Sequence, residues 1–224
     1  MKTKAVFFDF DGTITHQSNI DTWKALYMKL GLDTGENSSY HQSYVDFINN
    51  KYDYAKWCDI SANDYINAGL TLDLFNETVK DIKLYDDAME VFETLANSGV
   101  GLYVISGNFI KAIEQTLGDC LKYFKGIAGN EIVFDKTGKM SGIISTKYDY
   151  EGKADFIIET MEKMGLSSEE VVFVGNGEND VFAHRSGAKT ICINPTNASE
   201  DCEKIWDYVI KETDKLSSIL QFIE

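Results

Sequence analysis

Two carboxylates separated by one residue, Asp9 and Asp11, follow the apolar run Ala5-Val6-Phe7-Phe8 and precede Gly12-Thr13. Side chains two apart in an extended chain point the same way, so the two acids crowd one spot. Like charges that close repel unless a cation intervenes. Three further stations carry reactive side chains in a comparable setting. Ser106-Gly107-Asn108 follows Gly101-Leu102-Tyr103-Val104-Ile105, placing a hydroxyl and backbone amides at the end of an apolar run. Lys153 follows Tyr150-Glu151-Gly152 and opens a helical pattern. Gly175-Asn176-Gly177-Glu178-Asn179-Asp180 follows Val171-Val172-Phe173-Val174, and its glycines permit a tight turn lined with oxygen-bearing side chains.

The elements that must position these residues are legible in the hydrophobic pattern. Four short runs, the three above and Thr190-Ile191-Cys192-Ile193, are apolar enough to be strands buried on both faces of a parallel sheet. Helical periodicity lies between them. Ala88, Val91, Phe92 and Leu95 share a face from Asp86 to Ser98, before Gly99. Phe156, Ile157, Met161 and Met164 do so from Ala154 to Met164, and Leu216, Ile219, Leu220 and Ile223 from Asp214 to Ile223. Strand–helix alternation predicts an α/β fold, a Rossmann-like parallel sheet with right-handed crossovers. Ligands in such sheets bind outside the carboxyl ends of the strands, where Asp9 and Asp11 stand. Gly129 to Ile144 reads as a β-hairpin turning at Asp135-Lys136-Thr137-Gly138. Residues 16–82 are too many for one crossover, rich in aromatics and helical in period at Trp23, Leu26, Tyr27 and Leu30. They predict an inserted α-helical cap, with 1–15 and 83–224 forming the core.

Composition narrows the function classes. The 224 residues are 44% hydrophobic, enough for a packed core. A net charge of −15 argues against nucleic acid and anionic membrane surfaces as partners. No segment is long and apolar enough to span a membrane, and the first residues lack a leader's apolar stretch. Cys58, Cys120, Cys192 and Cys202 form no CxxC pair, which fits a reducing, cytoplasmic setting. His16, His41 and His184 show no metal-ligand spacing.

The motifs resemble those of the haloacid dehalogenase superfamily of aspartate-nucleophile phosphatases, in particular its phosphoserine-phosphatase-like branch. All four family motifs have counterparts in order: Asp9–Thr13, Ser106–Asn108, Lys153 and Gly175–Asp180. The insertion falls where that branch carries its helical cap. The resemblance implies an enzyme that hydrolyses a small phosphorylated metabolite. Asp9 attacks phosphorus, because an aspartyl-phosphate splits one hard displacement into two easier ones. Asp11 protonates the leaving alcohol and later takes a proton from water. Ser106, Gly107, Asn108 and Asn179 hold the phosphate or substrate, and Lys153 bridges nucleophile and phosphate. Magnesium is the implied cofactor, a hard cation that prefers oxygen ligands and retains waters. Its implied ligands are Asp9, Asp11 through its backbone carbonyl, Asn176 and Asp180. Asn176 stands where the family pattern has Asp and brings an oxygen without charge.

The substrate reading departs from phosphoserine. Family members that act on phosphoserine use a cap glutamate after the first motif and an arginine that grips the carboxylate. Ser18 occupies the glutamate position, and the only arginine, Arg185, lies outside the cap. Lys51 and Lys56 are the substitutes on offer. Cap aromatics with Asp46, Asp53, Asp59 and Asp64 make a phosphorylated amino alcohol of the phosphocholine or phosphoethanolamine type an alternative. A phosphomutase and a non-catalytic phosphate-binding protein are the rival classes, and monomer and homodimer both stay open.

Overall fold

The computed structural model describes residues 2–196 and 204–223. Strand β1 (Ala5–Phe8) is buried at every position, and its apolar run continues into Phe10 and Ile14. Four helices follow: α1 (Thr22–Lys29), α2 (Ser39–Ile48), α3 (Tyr54–Asn67) and α4 (Leu72–Val79). Each starts at a side-chain cap, with Asp21, Ser38, Asp53 and Thr71 accepting from the amide three residues on. Helix α5 (Ala88–Asn97) leads to β2 (Gly101–Phe109) and α6 (Ile110–Leu117). Strands β3 (Phe124–Phe134) and β4 (Met140–Ile144) form the antiparallel hairpin. Helix α7 (Gly152–Met164), β5 (Val171–Gly175), β6 (Lys189–Ile193) and β7 (Tyr208–Ile210) complete the order.

The strands form one seven-stranded sheet in the order β4-β3-β2-β1-β5-β6-β7, parallel except for the β3–β4 pair. The register sets Phe8 opposite Val104 and Val174. The chain segments that follow β1 and β5, and the end of β2, therefore emerge side by side.

The four inserted helices do not float free of the sheet. Trp23, Tyr65 and Phe75 belong to the same buried apolar cluster as Val6, Phe8 and Val104. Two strand-like connections, Thr15 paired with Leu84 and His16 N–H bonded to Lys83 O at 2.9 Å, carry the chain in and out. A second attachment ties the α3–α4 turn to the hairpin tip: Leu72 N–H reaches Gly138 O at 2.8 Å and Met140 N–H reaches Leu70 O at 3.0 Å.

Several elements differ from the sequence expectation. Strand β3 begins at Phe124, five residues before the expected hairpin, because its first half pairs in parallel with β2. The short β7 was not expected; it gains its place by pairing with Ile191–Ile193. The expected tight turn at Gly175–Asp180 runs on into 3-10 turns from Glu178 to Ser186, ended by Gly187 at φ 77°. The expected closing helix is likewise a 3-10 run, Leu216–Phe222. Its first amides are held by the Asp87 carboxylate, Leu216 at 2.9 Å and Ser217 at 3.0 Å. Cys192 is buried as expected, and Cys202 lies outside the described residues.

Candidate active site

The site is assembled from the segments that follow β1 and β5, from the last residues of β2 and from the start of α7. Asp9 N–H bonds Val174 O at 2.9 Å, which locks the exit of β1 onto β5. The Phe10 carbonyl then accepts from Thr13, Ile14 and Thr15, folding the chain back in a tight turn. Gly12 sits at φ 73°, and a Cβ there would lie 2.4 Å from Asn176 Nδ2, so the turn requires glycine. Thr13 Oγ1 donates to Asn176 Oδ1 at 2.9 Å and cross-links the first and fourth motifs.

Asn108 joins the second motif to the first. Its Nδ2 donates to Asp11 Oδ2 at 2.8 Å and to Thr22 Oγ1 at 2.6 Å, and its Oδ1 accepts from Phe109 N–H at 2.6 Å. The Gly107 carbonyl accepts from Asn130 Nδ2 at 2.7 Å, Trp23 Nε1 at 3.2 Å and Tyr54 Oη at 3.3 Å, which fixes the Gly107 peptide between sheet and helices.

Lys153 is fully buried at the first turn of α7 and donates to Asp9 Oδ1 at 2.7 Å and to Asp180 Oδ1. The Asp149 carboxylate lies 3.9 Å away. A buried ammonium needs such partners: desolvation lowers its proton affinity, but Asp180, Asp9 and Asp149 outweigh it and hold Lys153 charged. Asp180 ties the fourth-motif loop to Lys153. Its Oδ2 accepts from the amides of Asn176 (2.8 Å) and Gly177 (2.9 Å), and its Oδ1 takes Lys153. Each Asp180 oxygen thus has a donor, as does Asn176 Oδ1, which accepts from Thr13 Oγ1.

Burial raises the Asp9 carboxyl to about 7, and repulsion from Asp180 adds to it against the pull of Lys153. Asp11 is held well above the ordinary carboxyl range, first by burial and then by the nearby acids Asp21 and Asp9. The two acids thus differ in partner: Asp9 faces a cation, and Asp11 a neutral amide.

A cavity of about 220 Å³ opens onto these groups. Of the residues singled out from the sequence, Asp9, Asp11, Ser106, Gly107, Asn108, Asn176 and Asn179 line it, while Lys153 and Asp180 stand behind. Trp23 and Trp57 close it from the helical side. It continues into a larger groove of about 970 Å³, sharing Asp149, Tyr150, Gly177, Asn179 and Thr196.

A model of the haloacid dehalogenase-like hydrolases matches residues 3–186. The chain belongs to that family. Among similar haloacid dehalogenase-like proteins is the phosphoserine phosphatase of Methanocaldococcus jannaschii, 25% identical over 200 residues, which are 87% of this chain and 88% of that one. The probable phosphoserine phosphatase of Schizosaccharomyces pombe is 27% identical over 80% of this chain but only 57% of its own length, so the match spans little more than half of that relative. In fold, the chain is similar to a substrate-bound phosphoserine phosphatase complex, with a TM-score of 0.76 at 19% identity over the whole of both chains. A phospho-aspartyl intermediate analogue of phosphoserine phosphatase gives 0.74 at 21%, again over both whole chains.

Residues flagged as possible substrate contacts of this haloacid dehalogenase-like chain fall elsewhere. Ser18 is exposed and bonded to His16. Lys51 pairs with Asp46, Arg185 pairs with Glu151, and Lys56 is exposed. Asp53 caps α3, and Asp64 accepts from Tyr27 Oη at 2.8 Å. None of Asp46, Asp53, Asp59 and Asp64 lines either cavity. Sequence reasoning missed Asp149, Asn130 and Thr22. Asp149 had a signal, since it stands four residues before Lys153, the spacing at which opposite charges meet across a helical turn. Asn130 and Thr22 had none, as their partners come from distant segments.

Proposed function

We propose that the protein is a magnesium-dependent phosphatase that hydrolyses a small phosphomonoester through a covalent phosphate on Asp9. The observation that carries this reading is the buried pair of Asp9 and Lys153 beside Asp11, at the strand ends and open to a cavity. Lys153 holds Asp9 Oδ1, leaving Oδ2 to attack phosphorus. As that bond forms, the ester P–O bond breaks, and Asp11, whose proton affinity burial raises, serves as the general acid that gives a proton to the departing alcohol. The Asp11 carboxylate then takes a proton from water, which attacks the aspartyl-phosphate and frees inorganic phosphate and Asp9. The Ser106 hydroxyl, the Gly107 amide and Asn179 hold the phosphoryl oxygens, and Lys153 offsets their charge.

Asp9, Asp11 and Asn176 offer oxygen donors on one wall of the cavity, which suits a hard cation that keeps part of its water shell. Magnesium, when bound, supplies positive charge to the phosphoryl oxygens. Residues 16–82 are the proposed cap and 1–15 with 83–224 the core, the cap excluding water over Asp9. The −15 charge supports a small-molecule partner over nucleic acid.

The test is hydrolysis of p-nitrophenyl phosphate with magnesium by wild type and Asp9→Asn. The expected outcome is turnover by wild type alone, with a fluoride analogue of phosphate trapped on wild type. Full activity in Asp9→Asn overturns the mechanism. Slow hydrolysis that requires a sugar bisphosphate indicates a phosphomutase, and phosphate binding without turnover indicates a non-catalytic relative.

A further inference from the structure

Resting on the phosphatase reading, we propose that the larger groove is a leaving-group subsite for a positively charged alcohol without a carboxylate, such as a protonated or quaternary amine on a short carbon chain. The groove meets the acid-pair cavity at Asp149, Tyr150 and Asn179, so a phosphoryl group at Asp9 would direct its alcohol into it.

Its walls have two chemistries. One is aromatic: Phe47 lies 5.2 Å from Tyr150 and 5.9 Å from Tyr54, with Tyr150 itself 6.3 Å from Phe182, centroid to centroid. The other is acidic: Asp149, Glu151, Asp155 and Glu178 line the groove, with Lys147 the one cation among the described lining residues. Lys147 is itself held by Asp155 at 3.3 Å and Glu159 at 2.9 Å. Among the described residues neither cavity is lined by an arginine, the residue whose planar fork grips carboxylates. These acids come from the core and not from the helical insertion.

Asp149 is the sharpest discriminator. Its side chain is 9% exposed, and its Oδ2 lies so close to Gly107 that a Cβ there would be 2.2 Å away. A carboxylate fixed beside the phosphoryl-binding loop repels a second anionic group on the substrate and attracts an ammonium. Ring faces with acids nearby are the surroundings a desolvated organic cation favours. Trp57 lines the small cavity and stacks on Phe47 at 5.2 Å and on Trp23 at 5.6 Å, so the aromatic wall runs on into the small cavity.

The experiment measures kcat/KM with magnesium for phosphocholine, phosphoethanolamine, glycerol 2-phosphate, O-phosphoserine and p-nitrophenyl phosphate. The expected result is a preference of about tenfold or more for the two cationic esters over glycerol 2-phosphate, with O-phosphoserine poorest. Phe47→Leu and Glu178→Gln should each lower the ratio of phosphocholine to glycerol 2-phosphate by roughly 3- to 10-fold. Two separate variants guard against misfolding of either. If p-nitrophenyl phosphate is hydrolysed but the cationic esters are no better than glycerol 2-phosphate, or O-phosphoserine is best, the subsite proposal is overturned and the phosphatase reading stands. If no ester is hydrolysed, the phosphatase reading fails, and calorimetric binding of phosphocholine and glycerol 2-phosphate to the wild-type protein decides the subsite. Tighter binding of phosphocholine supports it, and equal binding overturns it.

Discussion

Lys153 Nζ lies 2.7 Å from Asp9 Oδ1 although 144 residues separate them, and neither side chain is more than 6% exposed. A charge buried this deeply persists only while its partners are present. Lys153→Met leaves the Asp9 and Asp180 carboxylates together without a cation. The expected effects are a loss of about 3–5 kcal/mol of stability and a fall in turnover of about 100-fold or more. Adding Asp9→Asn to that variant should recover part of the stability and none of the activity, since it removes one of the two stranded charges. Urea unfolding of the single and double variants measures this; strictly additive effects would disconnect the pair.

Asp180 and Asn176 should respond in opposite ways to substitution. Asp180→Asn puts a donor where two amides and Lys153 all need acceptors. It should cost about 2–4 kcal/mol and impair turnover in a way that extra magnesium does not restore. Asn176→Asp keeps an acceptor for the Thr13 hydroxyl and adds a negative charge beside Asp9. It should lower the magnesium concentration for half-maximal rate. Activity titrations against magnesium check both. Recovery of Asp180→Asn at high magnesium would instead identify Asp180 as a metal ligand.

Gly152 is where the chain turns to deliver Lys153. A Cβ at this position would lie 1.5 Å from the Lys147 carbonyl oxygen, and backbone cannot step aside as a flexible side chain can. Gly152→Ala should destabilise by about 3 kcal/mol or more and displace the lysine, lowering activity even where the protein remains folded. Thermal unfolding together with p-nitrophenyl phosphate turnover tests this. A stable, fully active Gly152→Ala would show that the 147–152 turn is not fixed as described.

Asp87 gives a prediction in pH. Burial raises its proton affinity, but hydrogen bonds from the Ser217 hydroxyl and the Ser217 and Leu216 amides outweigh it, so the folded carboxyl lies below its usual value. A depressed acid contributes stability above its unfolded value, near 3.8, and loses that contribution as pH falls through the lower folded value. Asp87→Asn should therefore reduce stability by about 1 kcal/mol at pH 7, the scale of a lost cap, and the gap from wild type should narrow below pH of about 4. Equilibrium denaturation across pH 3 to 7 reads the difference. A gap that persists unchanged at low pH would assign the effect to shape and not to charge.

The residues of the candidate site were visible in the sequence because each stands beside a strong local signal. Asp9, Ser106 and Gly175 end runs of apolar residues whose only stable place is the middle of a parallel sheet. That burial brings the ends of β1, β2 and β5 together without any knowledge of the rest of the chain. The helical insertion and the hairpin were likewise local, since periodicity and turn residues specify them within a few residues. The tertiary structure alone decided which atoms those side chains meet. Asp180 looked like a free acid in a glycine turn, but the folded loop turns its oxygens onto two amides and a lysine. The 3-10 run at Leu216–Phe222 follows from Asp87, some 130 residues earlier. The acids of the large groove come from the core segments beside α7 and β5 and not from the acidic insertion. Hydrogen-bond partners and electrostatic neighbours are set by distances in space between segments far apart in the chain. A local pattern fixes which element a residue belongs to, and only the packed arrangement of elements fixes what its side chain touches.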